Sequence, residues 1–288
     1  MDAVARQWMV EHTDAMAKLT GRRPTSIPPS AVVSDKQIGG LLAEVFVHLA
    51  GQSMGQSMQT LPKPIKYSFR ILGRLMGKSV AGLYLPEWQA PGHSGLYLVK
   101  NRIEASAAKV DAKPLDLARY VAAHEATHHW QFAANPWLEQ YMVDNYTGLM
   151  DSAQRAAASG QNQLGAIQGS MEKLNATMSL VEGHADFMAQ QLLPADIAAI
   201  GKKLSQQRDR SMDNQSAMMQ VVGRLSKMDQ KLRQYSDGYR FCEQVHKAGG
   251  HALLDQAWQS PQTLPSAAEI ADPALWVRRM QAPAQAAA

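Results

Sequence analysis

Residues 115–134 read LDLARYVAAHEATHHWQFAA, and their pattern is that of a buried helix. Pro114 stands immediately before this stretch and Pro136 follows it. Proline is favoured in the first turn of a helix and excluded from its interior, so the two prolines mark its ends. One helical face carries Leu117, Val121, His124 and His128. The pattern therefore predicts a helix whose two histidines face the protein interior.

Those histidines belong to an HExxH motif, residues 124–128. Side chains four residues apart lie on the same helical face, so His124 and His128 can bind one Zn²⁺. Glu125 is turned away from both ligands but can reach a zinc-bound water, which is the place of a general base. The motif predicts zinc-dependent hydrolysis of a peptide or amide bond.

A second candidate helix, EGHAD at 182–186, offers the remaining groups that such a site requires. A catalytic zinc takes three protein ligands and one water, and Glu182 is the predicted third ligand. Asp186 lies one turn later and is predicted to accept a hydrogen bond from the far nitrogen of a ligand histidine. We expect His184 to point away from the metal. His129 could lie at the rim of the cleft, but we expect a position at the protein surface.

Other interpretations of these residues stay open. His124 and His128 could be ordinary core histidines, or the zinc site could belong to a non-catalytic scaffold. Ser53 lies in GQSMG, which matches the GxSxG motif of serine hydrolases, although no series of strands precedes it. A di-iron site would need a second Glu-x-x-His, and none accompanies Glu182.

Composition limits the class of protein. The chain has 288 residues, 29 basic and 25 acidic, for a formal charge of +4, which gives nucleic-acid binding no support. One cysteine, Cys242, favours a reducing compartment. The most apolar run, Ile38–Ala50, is shorter than the roughly 20 residues of a membrane span. We therefore expect a cytoplasmic protein with no membrane span.

Helical patterns dominate the rest of the chain, and the predicted fold class is mainly α with a small β element flanking the metal cleft. The best strand candidate is GLYLVKNRI, residues 95–103, whose edge could pair with an extended peptide. Residues 151–170 have the composition of a mobile connection. We divide the chain into a helical region 1–94, a metal-binding region 95–280 and a disordered tail 281–288, with one compact domain overall.

Five blocks resemble one family, the zincin-like metallopeptidase type 2 family of bacterial proteins, some of which are linked to deazaflavin-coenzyme biosynthesis. The blocks are LYLVKNRI, HEATHHWQFAANPWL, MSLVEGHADFM, KLRQYSDGYRFCEQV and the ending GGHALLDQAWQSPQTLPSAAEIADPALW. They run in order from Gly95 to Trp276. The resemblance implies a mostly helical zinc hydrolase. Tyr235 lies inside the fourth block and is our candidate for stabilising the oxyanion of the reaction.

Overall fold

Helices hold most of the residues that the structure describes. The structure is a computed structural model and describes residues 2–53, 67, 71, 73, 75, 77–159, 164–213 and 228–282. The named helices are α1 (Asp2–Thr20), α2 (Asp35–Ser53), α3 (Lys100–Lys109), α4 (Pro114–Ala133), α5 (Trp137–Ser159), α6 (Leu164–Leu192), α7 (Ala195–Asp213), α8 (Met228–Leu254), α9 (Ala267–Ala271) and α10 (Pro273–Gln281). Short 3-10 turns cover Asp255–Trp258 and Pro261–Thr263.

Three short strands form a mixed sheet in the order β1-β3-β2. They are β1 (Ser30–Val33), β2 (Gly82–Leu85) and β3 (Gly95–Val99). β1 runs parallel to β3, and β2 runs antiparallel to it. The predicted class, mainly α with a small β element, is confirmed.

Local sequence explains several of the helix ends. Ser34 and Gln37 form a reciprocal cap at the start of α2, in which the Gln37 side chain accepts from the Ser34 N–H at 2.8 Å. In α8 the helix is broken at Gly249 and Gly250, and Gly250 has φ +68°, a conformation that favours glycine. Both the cap and the glycine break agree with the sequence.

The chain forms two compact units. Unit 1 comprises Met1–Ala134 and Met188–Leu204, and its core contains apolar residues of α1, β3, α3 and α4. Unit 2 comprises Asn135–Phe187 and Ser205–Ala288. Within unit 2, Phe241 packs edge-on against Trp276 with ring centroids 5.4 Å apart.

Two predictions about β3 are wrong. The strand ends at Val99, and Lys100 begins α3. Because α3 reads KNRIEASAAK, rich in residues with good helix propensity, its sequence favours a helix over a continued strand. In addition, β3 is the middle strand and is paired on both sides, so its edge is not available to an extended peptide.

The prediction of a mobile connection at 151–170 is also wrong for the residues of this range that the structure describes, 151–159 and 164–170. α5 continues to Ser159 and α6 begins at Leu164, while residues 160–163 lie outside the described part. The alanines and glutamines that suggested low complexity are also good helix formers.

The predicted boundary at 94/95 stays a prediction, and the tail beyond residue 282 lies outside the described residues. Among the helices described, none combines the length and apolar character needed to cross a bilayer.

Candidate metal centre

The HExxH motif lies in the second half of α4, as its pattern predicts. Pro114 is the first residue of the helix, and the residue before it is extended. Leu117 and Val121 are buried within the core of unit 1, which anchors the same face that carries the histidines. α4 is thus the rigid support of the candidate site.

The two motif histidines meet through their Nε2 atoms, which are 3.1 Å apart. The far nitrogen of His128, Nδ1, donates to the side-chain oxygen of the fully buried Gln131 at 2.8 Å. A proton on Nδ1 leaves a lone pair on Nε2, the state that a metal ligand needs. Gln131 was not anticipated from the sequence, although its i+3 spacing places it on the face of His128.

Glu182 completes a group of three possible ligands with His124 and His128. One donor atom from each residue lies within 4.8 Å of the other two. Two nitrogens bound tetrahedrally to one zinc would be about 3.3 Å apart, close to the observed Nε2 separation. Two imidazoles and one carboxylate are also a donor set typical of catalytic zinc, so the residues fit this metal.

Glu125 is nearly buried, with 7% of its surface exposed, and lies against β2. Its Oε2 atom accepts a hydrogen bond of 2.8 Å from the backbone N–H of Tyr84. Gly82 makes this approach possible, because a methyl group there would lie 2.8 Å from Glu125 Oε1 and 2.3 Å from Val121 Cγ1. Neither Gly82 nor Tyr84 was predicted from the sequence as part of the site. A glycine within a strand is the one available signal that another group approaches the backbone closely.

His129 is buried, with only 3% exposed, so its predicted surface position is wrong. Its Nε2–H donates to the carbonyl oxygen of Ser26 at 2.8 Å, and its Nδ1 faces the Tyr84 hydroxyl at 3.4 Å. Burial lowers the pKa of His129, although the hydrogen bond to Ser26 opposes this. His129 is therefore a neutral residue that ties α4 to the segment before β1.

The turn of α6 that carries Glu182 is crossed at very short range by α8. A Cβ on Gly183 would lie 2.0 Å from the carbonyl carbon of Gly238, and one on Gly238 would lie 1.8 Å from the carbonyl oxygen of Ser179. Only glycine at both positions allows the two backbones to approach this closely.

His184 and Asp186 are both buried on α6, with 3% and 6% exposed. The His184 ring lies against Trp258, with centroids 4.8 Å apart, and His184 is not a member of the three-ligand group. Tyr239 is close enough to Asp186 to sense its charge, since burial, followed by the charges of Glu243 and Asp186, raises the pKa of Tyr239. The contact predicted between Asp186 and a ligand histidine stays a prediction.

Comparison with known proteins agrees with this geometry. The profile of a family described as zincin-like metallopeptidase matches residues 1–277. The chain belongs to the zincin-like metallopeptidase family. The match confirms the resemblance and extends it to the N-terminal region.

One solved structure shares the fold of this zincin-like chain: the crystal structure of a proposed hydrolase with a novel fold from Chloroflexus aurantiacus. The two sequences are 24% identical, the alignment covers 98% of this chain and 92% of the other, and the TM-score is 0.65. At this identity the likeness concerns the fold alone. No curated protein matches the chain.

Two other predicted site residues of this zincin-like chain remain without a structural description. Tyr235 belongs to α8, where its backbone is described but its side chain is not. Ser53 is the last residue of α2, and its side chain, together with Met54 and Gly55 of the motif, is also outside the described residues. Both assignments stay predictions.

Proposed function

We propose that this chain is a zinc-dependent hydrolase of peptide or amide bonds, in which His124, His128 and Glu182 hold the metal. The observation that carries the proposal is the convergence of these three donors, together with the Gln131 contact that leaves His128 Nε2 free of a proton. When bound, zinc supplies Lewis acidity that polarises a carbonyl group and acidifies water. The family's name indicates the same chemistry.

Glu125 is the proposed general base. The Tyr84 N–H donates to its Oε2 atom and fixes the orientation of the carboxylate, which takes a proton from water and returns it to the leaving nitrogen. Because α4 fixes the Cα of Glu125 and β2 fixes its carboxylate, the base needs little rearrangement before reaction.

The substrate is proposed to lie along the outer edge of β2. This strand pairs with β3 on one side and has no other strand partner among the residues described. Since the Tyr84 N–H bonds to Glu125, this backbone group points away from β3 and towards the base. An extended peptide along this edge would run past the general base. Because the Tyr84 N–H is already bonded to Glu125, the peptide would pair with other backbone groups of β2. This edge replaces that of β3, which the sequence suggested.

The deciding experiment measures metal content and peptide cleavage for the parent and for Glu125→Gln. We expect the purified parent to contain zinc and to cleave members of a broad peptide library. Glu125→Gln should keep zinc and lose activity by roughly 10²–10⁴-fold, the usual contribution of a general base. Glu104→Gln, an exposed change on α3, is the matched control and should behave like the parent.

Each alternative has its own result. Zinc bound by the parent without turnover of any library peptide would favour a non-catalytic scaffold. A parent that binds no zinc would refute the ligand assignment. A large loss of activity in Ser53→Ala with zinc retained would favour the serine hydrolase.

A further inference from the structure

A hydrogen-bonded pair of buried polar side chains joins α1 to the HExxH turn. His12 on α1 has 4% of its surface exposed and Thr127 on α4 has none. The distance between His12 Nε2 and Thr127 Oγ1 is 2.8 Å. Apolar residues of both helices pack near this pair, with Ala5 and Met9 of α1 in the same cluster as Ala118 of α4.

The hydrogen-bond directions in this pair are fixed by their neighbours. Thr127 Oγ1 is 3.0 Å from the carbonyl oxygen of Ala123, which can only accept, so the threonine proton points there. The hydroxyl must then accept from His12, and His12 carries its proton on Nε2. Burial, and secondly the neighbouring His124, lower the pKa of His12 to about 3, so the ring is neutral.

The turn held in this way is the one that bears the functional groups. His124 and Glu125 lie between Ala123 and Thr127 in the sequence, and His128 follows Thr127 directly. A threonine hydroxyl bonded to the carbonyl four residues earlier adjusts the local bend of a helix. The tether from His12 therefore acts on the bend and axial position of this turn.

We infer that His12 is a positioning residue, which acts through Thr127 to set the placement of His124 and His128. Apolar packing between α1 and α4 is non-directional and allows small sliding movements. The buried hydrogen bond is directional and fixes one register between the two helices. The inference rests on the proposed function only in the test that measures zinc binding.

Stability alone gives no reason for a polar pair between these two helices. Removing one partner leaves a buried polar group unsatisfied, whereas replacing both by apolar groups of similar shape is nearly neutral or stabilising. The double variant His12→Leu/Thr127→Val therefore separates positioning from stability. It should fold as well as the parent and still lose the tether.

The test compares the zinc dissociation constant, from chelator competition, with the urea midpoint of the metal-free protein. For the double variant we expect an unchanged or higher midpoint and zinc binding weakened about tenfold, the lower end for contacts outside the ligand set. His12→Gln, whose amide N–H can replace the ring donor, should recover most of the affinity. Unchanged zinc affinity in the double variant would overturn the inference.

Thr13→Val is the matched control. Thr13 is the next residue of α1, has 1% of its surface exposed, and its Oγ1 is among the buried atoms with no hydrogen-bond partner in the part of the chain described. The change should leave zinc affinity as in the parent. A loss as large as that of the double variant would show that any change to a buried residue of α1 disturbs the site, and would also overturn the inference.

A parent that binds no zinc would contradict the proposed function, not the positioning role of His12. A second measurement tests that role without zinc. Histidine ¹⁵N spectra of the metal-free parent should show His12 as the Nε2–H tautomer. The ring signals of His124 and His128 should shift in His12→Leu and not in Thr13→Val. Spectra in which the two motif histidines do not respond to His12→Leu would refute the positioning role.

Discussion

The closest approach of α6 and α8 offers a test of how Glu182, the proposed third ligand, is placed. In Gly238→Ala the new methyl carbon would lie 1.8 Å from the carbonyl oxygen of Ser179 and 2.7 Å from its carbonyl carbon. Ordinary contact begins near 3.4 Å, so the site is short by about 1.6 Å. Both atoms are backbone, and no rotamer change can relieve the overlap. The two helices must separate.

The expected magnitude follows from two opposing effects. An alanine in a helix is more stable than a glycine by roughly 0.5–1 kcal/mol. Overpacking in a well-packed interior destabilises by about 1–3 kcal/mol, and more when backbones must move. For Gly238→Ala the second effect dominates, and we expect a net loss of about 2 kcal/mol. Zinc affinity should also fall, since Glu182 is adjacent to Gly183 at the crossing.

Urea unfolding followed by circular dichroism, with zinc competition on the same samples, measures both effects. Gly148→Ala on α5 is the matched control, because its methyl group would meet no atom within 4 Å. This change should stabilise the protein by roughly 0.5–1 kcal/mol through helix propensity alone. If Gly238→Ala were as stable as Gly148→Ala and bound zinc equally well, the close crossing would not position the turn that carries Glu182.

Two further predictions concern buried carboxylates. Asp186→Ala should keep the fold but weaken zinc binding about 10–100-fold. His184→Ala should weaken zinc binding less and lower the stability more, because His184 packs on Trp258. Chelator competition and urea unfolding of both variants check this, and a larger loss of zinc affinity in His184→Ala than in Asp186→Ala would show that the ligand assignment is wrong. Burial raises the pKa of Glu269, but hydrogen bonds from Arg279 and from its helix cap outweigh it and hold that pKa below its ordinary 4.5. The lowered pKa stabilises the folded protein above about pH 4.5, and this contribution is lost as pH falls below it, so Glu269→Gln should flatten the acid side of a stability–pH profile.

The sequence was sufficient wherever periodicity and local spacing decide the structure. The HExxH helix is an example: Pro114 marks its start, and the four-residue interval brings His124 and His128 together without help from the rest of the chain. Glu182 could be proposed because a third ligand was chemically required. The strand Gly95–Val99 was recognised from its apolar run, but its position in the middle of the sheet was not.

Groups that act across long sequence separations could not be found in this way. Tyr84 reaches Glu125 over 41 residues, and His12 reaches Thr127 over 115. The Tyr84 contact uses a backbone N–H, which every residue except proline possesses, so the identity of the residue carries no signal. A lone histidine within the helical pattern of α1 likewise reads as an ordinary core residue.

These long-range contacts have a common consequence for the site. The HExxH motif specifies which groups are present, but a base and two ligands on one helix are useful only if their surroundings fix each orientation. Here β2 holds the carboxylate of Glu125, Gln131 orients His128, and α1 holds the turn between the two histidines. The first and third contacts come from other elements, β2 and α1, whereas Gln131 belongs to α4 itself. Each contact uses a different kind of hydrogen-bonding group. A helix with the same five-residue motif but without these contacts would retain the donor groups and lose the fixed arrangement on which the proposed chemistry depends.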